Sequence, residues 1–232
     1  NLSPEIALNY YLNDNTSVYV AYKKAFKSGG IDNSALPTAS INPLSPTFEG
    51  FDALIYDSEE ADGFEIGLKS NLFDNNMRIN ATYYKYEYTD LQVQLFDANI
   101  IQFSTFNAGA VETEGFEADM LWYTDIEGLT LRGQFAWTDA VNTGDFFNTS
   151  GVNLKGSERS YSPEIAGSLG LSYDSSLFSG WRYTFSTDAR YSDDYAWGVY
   201  RNSPRQDSYW INDAAISLYS EDGKHSINLI GR

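Results

Sequence analysis

Apolar and polar side chains alternate one by one along most of this chain. Between Trp181 and Tyr191, Trp181, Tyr183, Phe185, Ala189 and Tyr191 fall on one side of an extended backbone, with Arg182, Thr184, Ser186, Asp188 and Arg190 on the other. A period of two marks a strand, whose successive side chains point to opposite faces. The pattern begins near Glu5, where Ile6, Leu8, Tyr10 and Leu12 alternate with Ala7, Asn9 and Tyr11, and it returns from Ser17 to Phe26. Phe64, Ile66, Leu68 and Leu72 then oppose Glu65, Gly67, Lys69 and Asn71, and the next strand is predicted from Met77 to about Gln94. Phe116, Ala118, Met120 and Trp122 oppose Glu117 and Asp119; Leu129, Leu131, Phe135 and Trp137 oppose Thr130, Arg132, Gln134 and Thr138. Ile165, Leu169, Leu171 and Tyr173 run against Ala166, Ser168, Gly170 and Ser172. Ala214, Ile216 and Leu218 carry a further strand, and Ile227 and Leu229 begin the last one. At Tyr84, Tyr86 and Tyr88 both faces turn aromatic, which predicts an interfacial girdle or a bulge.

Five of the connections are short and four are long, in alternation. Asn13-Asp14-Asn15 and Asp74-Asn75-Asn76 are tight turns, since Asn and Asp tolerate left-handed backbone and bond their own chain. Thr124 to Gly128, Ser175 to Gly180 and Ser220 to Lys224 complete the short set. The long set runs from about Lys27 to Glu59, with Pro37, Pro43 and Pro46, then after Gln94, from Val141 to Ser160 and from Ser192 to Gln206. A long structureless connection argues against a compact soluble domain, whereas it is an expected extracellular loop on an outer-membrane barrel. These features predict an all-β fold: an antiparallel up-and-down transmembrane β-barrel of about ten strands, apolar side to lipid and polar side to the lumen.

Composition sharpens that reading. Mean hydropathy is −0.40, and no apolar run approaches the roughly 20 residues of a spanning helix. Aromatics make up 16% of the chain, which suits membrane interfaces, although a Tyr-rich soluble sheet would show the same content. The net charge of −17 excludes a nucleic-acid partner, whose phosphates need cations to neutralise them. An acidic surface suits cation-bridged lipopolysaccharide or a cationic ligand, with solubility the simpler reason for it. Without cysteine there is no disulfide framework or thiolate chemistry. The N-terminal NLSPEIALNYYL lacks the basic and apolar regions of a signal peptide, so the chain is expected to be mature or a fragment.

Candidate chemistry is sparse. One histidine, His225, excludes a two-histidine metal site and makes a triad improbable beside a short turn. Asp57, Glu59, Glu60 and Asp62 have calcium-like oxygen chemistry but lack the glycine-centred loop of an EF-hand, so a solvated strand entry is the plainer reading, as for Asp193-Asp194. The loop from Ser192 to Gln206 is more suggestive. Tyr195, Trp197 and Tyr200 stand there with Arg201 and Arg205, a combination able to hold an iron chelate, a sugar or a corrinoid by stacking and charge-assisted bonds. Loop self-packing and membrane anchoring compete with that role, and Phe146 and Phe147 share the ambiguity; the loop around Phe48 is a further place for capture.

Ser58 to Ala140 resembles the barrel of TonB-dependent outer-membrane receptors. Glu65, Gly67 and Lys69 match an E-x-G-x-K strand; Tyr88, Asp90, Leu91 and Gln92 match an aromatic-x-D-L-Q element. Asn107, Ala108, Gly109, Gly115 and Glu117 match N-A-G followed by G-x-E, Leu154, Gly156, Pro163 and Glu164 match a later element, and the closing SINLIGR is similar to a penultimate strand. The resemblance implies a plugged barrel of about 22 strands, here its later part over residues 1–232 with plug, TonB box and final strand lying outside. It also implies uptake of a scarce nutrient, most often a ferric siderophore, energised through TonB, with no enzymatic activity and no cofactor. Expected partners are an iron chelate or other small nutrient, outer-membrane lipid and lipopolysaccharide, and TonB through the plug. Two alternatives stand beside it: a complete ten-stranded pore or surface protease, and a soluble β-rich binding module.

Overall fold

The computed structural model describes residues 2–32, 50–97, 102–148, 151–177, 180–198 and 203–232. In chain order its strands are β1 (Glu5–Asn13), β2 (Thr16–Lys27), β3 (Gly30–Ile31), β4 (Ile55–Tyr56), β5 (Glu59–Leu72), β6 (Met77–Thr89), β7 (Gln92–Asp97) and β8 (Gln102–Asn107). They continue with β9 (Ala110–Tyr123), β10 (Leu129–Asn142), β11 (Ile165–Ser176), β12 (Trp181–Ser192), β13 (Tyr195–Ala196), β14 (Arg205–Gln206), β15 (Tyr209–Ser220) and β16 (Ser226–Gly231). One ten-stranded antiparallel sheet runs β1-β2-β5-β6-β9-β10-β11-β12-β15-β16, and three two-stranded ribbons, β3-β4, β7-β8 and β13-β14, lie in the long connections. The sheet is open, with β1 and β16 at its two edges.

Register makes the two faces continuous. Val20, Ile66, Tyr83, Phe116, Trp137 and Ile165 lie directly opposite one another across β2 to β11. Leu171, Thr187 and Ala214 do so across β11 to β15, and Tyr173, Phe185, Ile216 and Leu229 from β11 to β16. This face is solvent-accessible along its length, Leu169 being 67% and Leu229 71% exposed. An apolar face of this extent on a soluble protein would far exceed the usual few hundred Å²; in a membrane it meets lipid. Leu131, Phe135, Trp137, Leu169, Leu171, Tyr183 and Phe185 share it, and Arg132, Gln134, Ser168, Arg182, Asp188 and Arg190 share the other, as the alternation predicts.

The opposite face carries polar ties laid over small residues. Tyr19 crosses Gly67 to meet the Thr82 hydroxyl at 3.0 Å; a Cβ on Gly67 would stand 2.2 Å from the ring. Tyr84 crosses Gly115 to Thr138 at 3.2 Å. Arg132 crosses Gly170 and donates to both oxygens of Asp188, at 3.2 and 2.6 Å. Lys23 and Tyr86 both donate to Glu65, and Asn80 donates to Asp119. This corrects the reading of Tyr84, Tyr86 and Tyr88. They form neither girdle nor bulge: pairing of β5, β6 and β9 runs without a register shift, and the three rings face the polar side. β6 also ends at Thr89 rather than near Gln94, because Asp90 takes a left-handed φ of 54° that breaks the extended chain before β7.

Tight turns fall where Asn and Asp cluster. The Asn13 side chain accepts from Asn15 N–H at 2.8 Å, and Phe73, Asp74 and Asn75 all have positive φ. All five short connections lie at one end of the sheet and the four long ones at the other.

Candidate functional site: the long-connection end

Alternation of the faces fixes what happens where the strands leave the membrane. On the lipid side, girdle rings aim their polar tips at acids: Tyr22 at Asp62 (3.2 Å), Tyr83 at Glu114 (3.2 Å), Trp137 at Glu164 (3.2 Å) and Tyr191 at Asp193 (3.3 Å). Each ring thus joins an apolar body to a hydrogen-bonded polar end, the form suited to a membrane boundary. Lys24 pairs with Glu60 at 2.7 Å and Lys85 with Glu112 at 2.8 Å just beyond.

The two family-like motifs meet as a clamp. Asn107 Nδ2 donates to the carbonyls of Asp57 (3.0 Å) and Asp90 (2.6 Å), and its Oδ1 accepts Asp57 N–H at 2.6 Å. Gln92 Nε2 donates to the Ser28 and Asp57 carbonyls, while its backbone N–H donates to Glu59 Oε2. The β3-β4 ribbon joins the same body through Thr105 N–H, which donates to Asp32 at 2.6 Å. Asn107→Ala hands two exposed carbonyls and one exposed N–H to water, each lost bond worth at most about 0.5–1.5 kcal/mol net. Limited proteolysis of intact cells should therefore cut the β7-β8 ribbon faster in this variant, with the barrel itself protected.

The connection from β10 to β11 has its own small core. Phe146 (3% exposed) and Leu154 (2%) are buried there, and Asn153 bonds Phe146 N–H and Asp145. Phe146 is therefore a packing residue and not a capture platform; Phe147 remains 56% exposed. Thr143 N–H donates to the Ala110 carbonyl, which ties this connection to the start of β9.

Of the residues singled out in the last long connection, Tyr195 lies on β13 and Trp197 just after it, 52% exposed. Tyr200 and Arg201 lie outside the described residues, as do Phe48 and the three prolines of the first long connection. Arg205, on β14, is occupied: it holds Glu158 in an ion pair and Asp194 at 2.7 Å. Hydrogen bonds from Glu158 first and Asp194 second hold its guanidinium above the ordinary arginine pKa. It ties two loops together instead of presenting a free cation.

Tyr161 was missed by the pattern. It is 69% exposed, sits 6.1 Å from the Tyr195 ring, and donates its N–H to the Ala196 carbonyl. Its φ of 59° is rare for a bulky residue. The strain is held by the Ala196 bond and keeps the ring outward beside Tyr195. The four long connections thus link in series, from β3-β4 through β7-β8 and the β10–β11 connection to β13-β14.

The acidic strand entry is dispersed: Glu59 takes Gln92 N–H, Glu60 pairs with Lys24, and Asp62 accepts from Tyr22. Among the described residues no group of acids and histidines is arranged to hold a metal ion. His225 lies in the turn before β16, at the short-connection end, with its N–H on Ser220 Oγ.

A wide antiparallel wall with lipid outside, polar ties inside and linked loops at one end defines an outer-membrane β-barrel protein. Residues 1–229 match the TonB dependent receptor-like, beta-barrel family model, and the chain belongs to that family. The family is one of outer-membrane receptors, not of enzymes. No curated protein matches the chain by sequence. Among solved structures, the ferric yersiniabactin uptake receptor FyuA from Yersinia pestis aligns with TM-score 0.75 and 15% identity, covering 97% of this chain and 31% of that one. The ferric preacinetobactin receptor BauA from Acinetobacter baumannii gives 0.69 and 16%, over 98% and 31%. The siderophore receptor PiuA from the same organism gives 0.69 and 21%, over 97% and 31%. The chain thus spans about a third of the length of these relatives, and they share its fold.

Proposed function

We propose that these residues form part of the wall and the ligand-gathering mouth of a receptor that carries a scarce nutrient, a ferric siderophore or another iron complex, across the outer membrane with energy supplied through TonB. The carrying observation is the aromatic group Tyr161, Tyr195 and Trp197 at the long-connection end, Tyr161 and Trp197 exposed and Tyr195 half-buried beside Tyr161, mounted on loops that are tied to one another. Aromatic faces stack on planar chelating groups, and tied loops lose less entropy when a ligand orders them. Tyr200 and Arg201 belong to the same capture loop in this reading, and Arg205 holds that loop against Glu158. Residues 1–232 are read as one partial barrel domain, with a plug meeting its polar face, TonB reached through that plug, and lipopolysaccharide around the acidic girdle. That two of the solved relatives carry ferric complexes in their names adds support.

The test is a binding titration of the full-length receptor with the iron chelate that sustains growth under iron limitation. Trp197→Ala should weaken affinity about five- to thirtyfold, the loss of roughly 1–2 kcal/mol of stacking. Asp222→Ala, in a short turn at the other end, should leave it unchanged. Equal affinity in wild type and Trp197→Ala, with normal surface expression, moves the capture site elsewhere.

A further inference from the structure

The lipid-facing side carries a notch and, beside it, a polar group without a partner among the described residues. Gly167 stands between Phe135 and Tyr191 in a cross-strand row that continues to Trp210. With no side chain there, the row of rings is interrupted. One step towards the short-connection end, Ala189 lies opposite Leu169 and keeps the gap open. The result is a notch of about 280 Å³, with Gly167 and Ala189 as its floor and Phe135, Leu169, Tyr191 and Trp210 as its walls. Ring contacts brace those walls: Phe135 packs on Phe116 at 6.4 Å, and Tyr191 on Trp210 at 5.0 Å. The depth of the notch follows from the girdle. Trp137 donates to Glu164 and Tyr191 to Asp193, acids at the long-connection ends of β11 and β12. The notch opens just on the hydrocarbon side of that boundary.

Asn212 lies directly opposite Ala189 on the same face, exposed, and its amide has no hydrogen-bond partner among the described residues. Thr187, next along that face, shows the contrast: its hydroxyl donates to the Asp213 carbonyl at 3.0 Å. An amide left unpaired in hydrocarbon is costly, because no water reaches it. Any acyl chain can fill the notch by contact, but contact alone does not select a lipid, since chain and wall are equally apolar. The amide does select. It calls for a chain that carries a hydroxyl or amide group close to its root, as the chains of lipopolysaccharide do and those of a phospholipid do not. Lipopolysaccharide is also the lipid of the outer leaflet, where the long connections lie. We infer that the notch and Asn212 form a seat for one acyl chain of lipopolysaccharide. Gly167 and Ala189 admit the chain, the rings clasp it, and Asn212 bonds the polar group at its root. The seat depends on the membrane placement of the barrel and is independent of the nutrient carried.

The experiment uses the full-length receptor, extracted from outer membranes in mild detergent, with bound lipid counted by native mass spectrometry. The same protein is then stripped of lipid and titrated with purified lipopolysaccharide and with phosphatidylethanolamine. Wild type should retain one more lipopolysaccharide molecule than Ala189→Phe, which fills the floor with a side chain that lipid tolerates. Ala189→Phe should also weaken rebinding at least about tenfold. Asn212→Leu, which removes only the amide, should weaken lipopolysaccharide binding about fivefold or more and leave phosphatidylethanolamine binding unchanged. Leu171→Phe, on the same face outside the notch, should match wild type. Heat-modifiable migration confirms that each variant is assembled, and Asn212→Leu decides alone if Ala189→Phe does not assemble. Equal lipopolysaccharide affinity in wild type and Asn212→Leu overturns the seat, as does equal weakening in Leu171→Phe. Retention of a phospholipid in place of lipopolysaccharide, or of a second receptor copy with no lipid, overturns it too.

Discussion

Phe185→Arg will remove the receptor from the outer membrane, while Ser186→Arg, one residue further along the same strand, will leave it assembled. Phe185 lies between Tyr173 and Ile216 on the continuous apolar face, several residues from either end of β12. An arginine there is exposed to hydrocarbon at a cost of roughly 2–4 kcal/mol near the bilayer midplane. Ser186 faces the other way, between the small residues Ser172 and Ala215 and beside an open polar cavity, where a guanidinium has room and stays out of hydrocarbon. The measurement is the amount of heat-modifiable protein in isolated outer membranes. Equal levels of the two variants would mean that the apolar face does not meet lipid.

The second large effect concerns these 232 residues expressed alone. β1 and β16 pair on one side only, so each leaves a row of backbone donors and acceptors open. Water can satisfy them, lipid cannot, and unsatisfied groups in hydrocarbon cost several kcal/mol each. Refolding into detergent should yield aggregates, or dimers joined edge to edge, and not a monodisperse monomer. A stable monomeric channel in planar bilayers would show that the two edges close on each other and would restore the ten-stranded pore as a reading.

The wall was legible because its information is local. A period of two along a single strand is enough to sort Leu131 from Arg132 or Phe185 from Ser186, and the Asn and Asp clusters place the tight turns. What escaped depends on pairs far apart in the chain. Tyr84, Tyr86 and Tyr88 read as a girdle until Gly115 and Gly63 on the neighbouring strands are seen to make room on the polar side. The alternation through Asp90 hides a backbone reversal, because φ leaves no trace in hydrophobicity. Arg205 looked free because Glu158, its partner, is 47 residues away. Tyr161 carries no signal beyond being a polar-tipped loop residue; only its exposure and its place beside Tyr195 distinguish it.

The three polar-side ties that cross a small residue share their end strands. Tyr19 links β2 to β6, Tyr84 links β6 to β10, and Arg132 links β10 to β12. Each skips the strand between its ends, so together they act as hoops on a cask. Adjacent strands are already stitched by their ladders; the hoops add resistance to sliding, since displacing one strand along its neighbour separates both ends of a tie at once. A wall braced in this way holds its curvature from β2 to β12, because spreading or flattening that arc has to lengthen all three ties together.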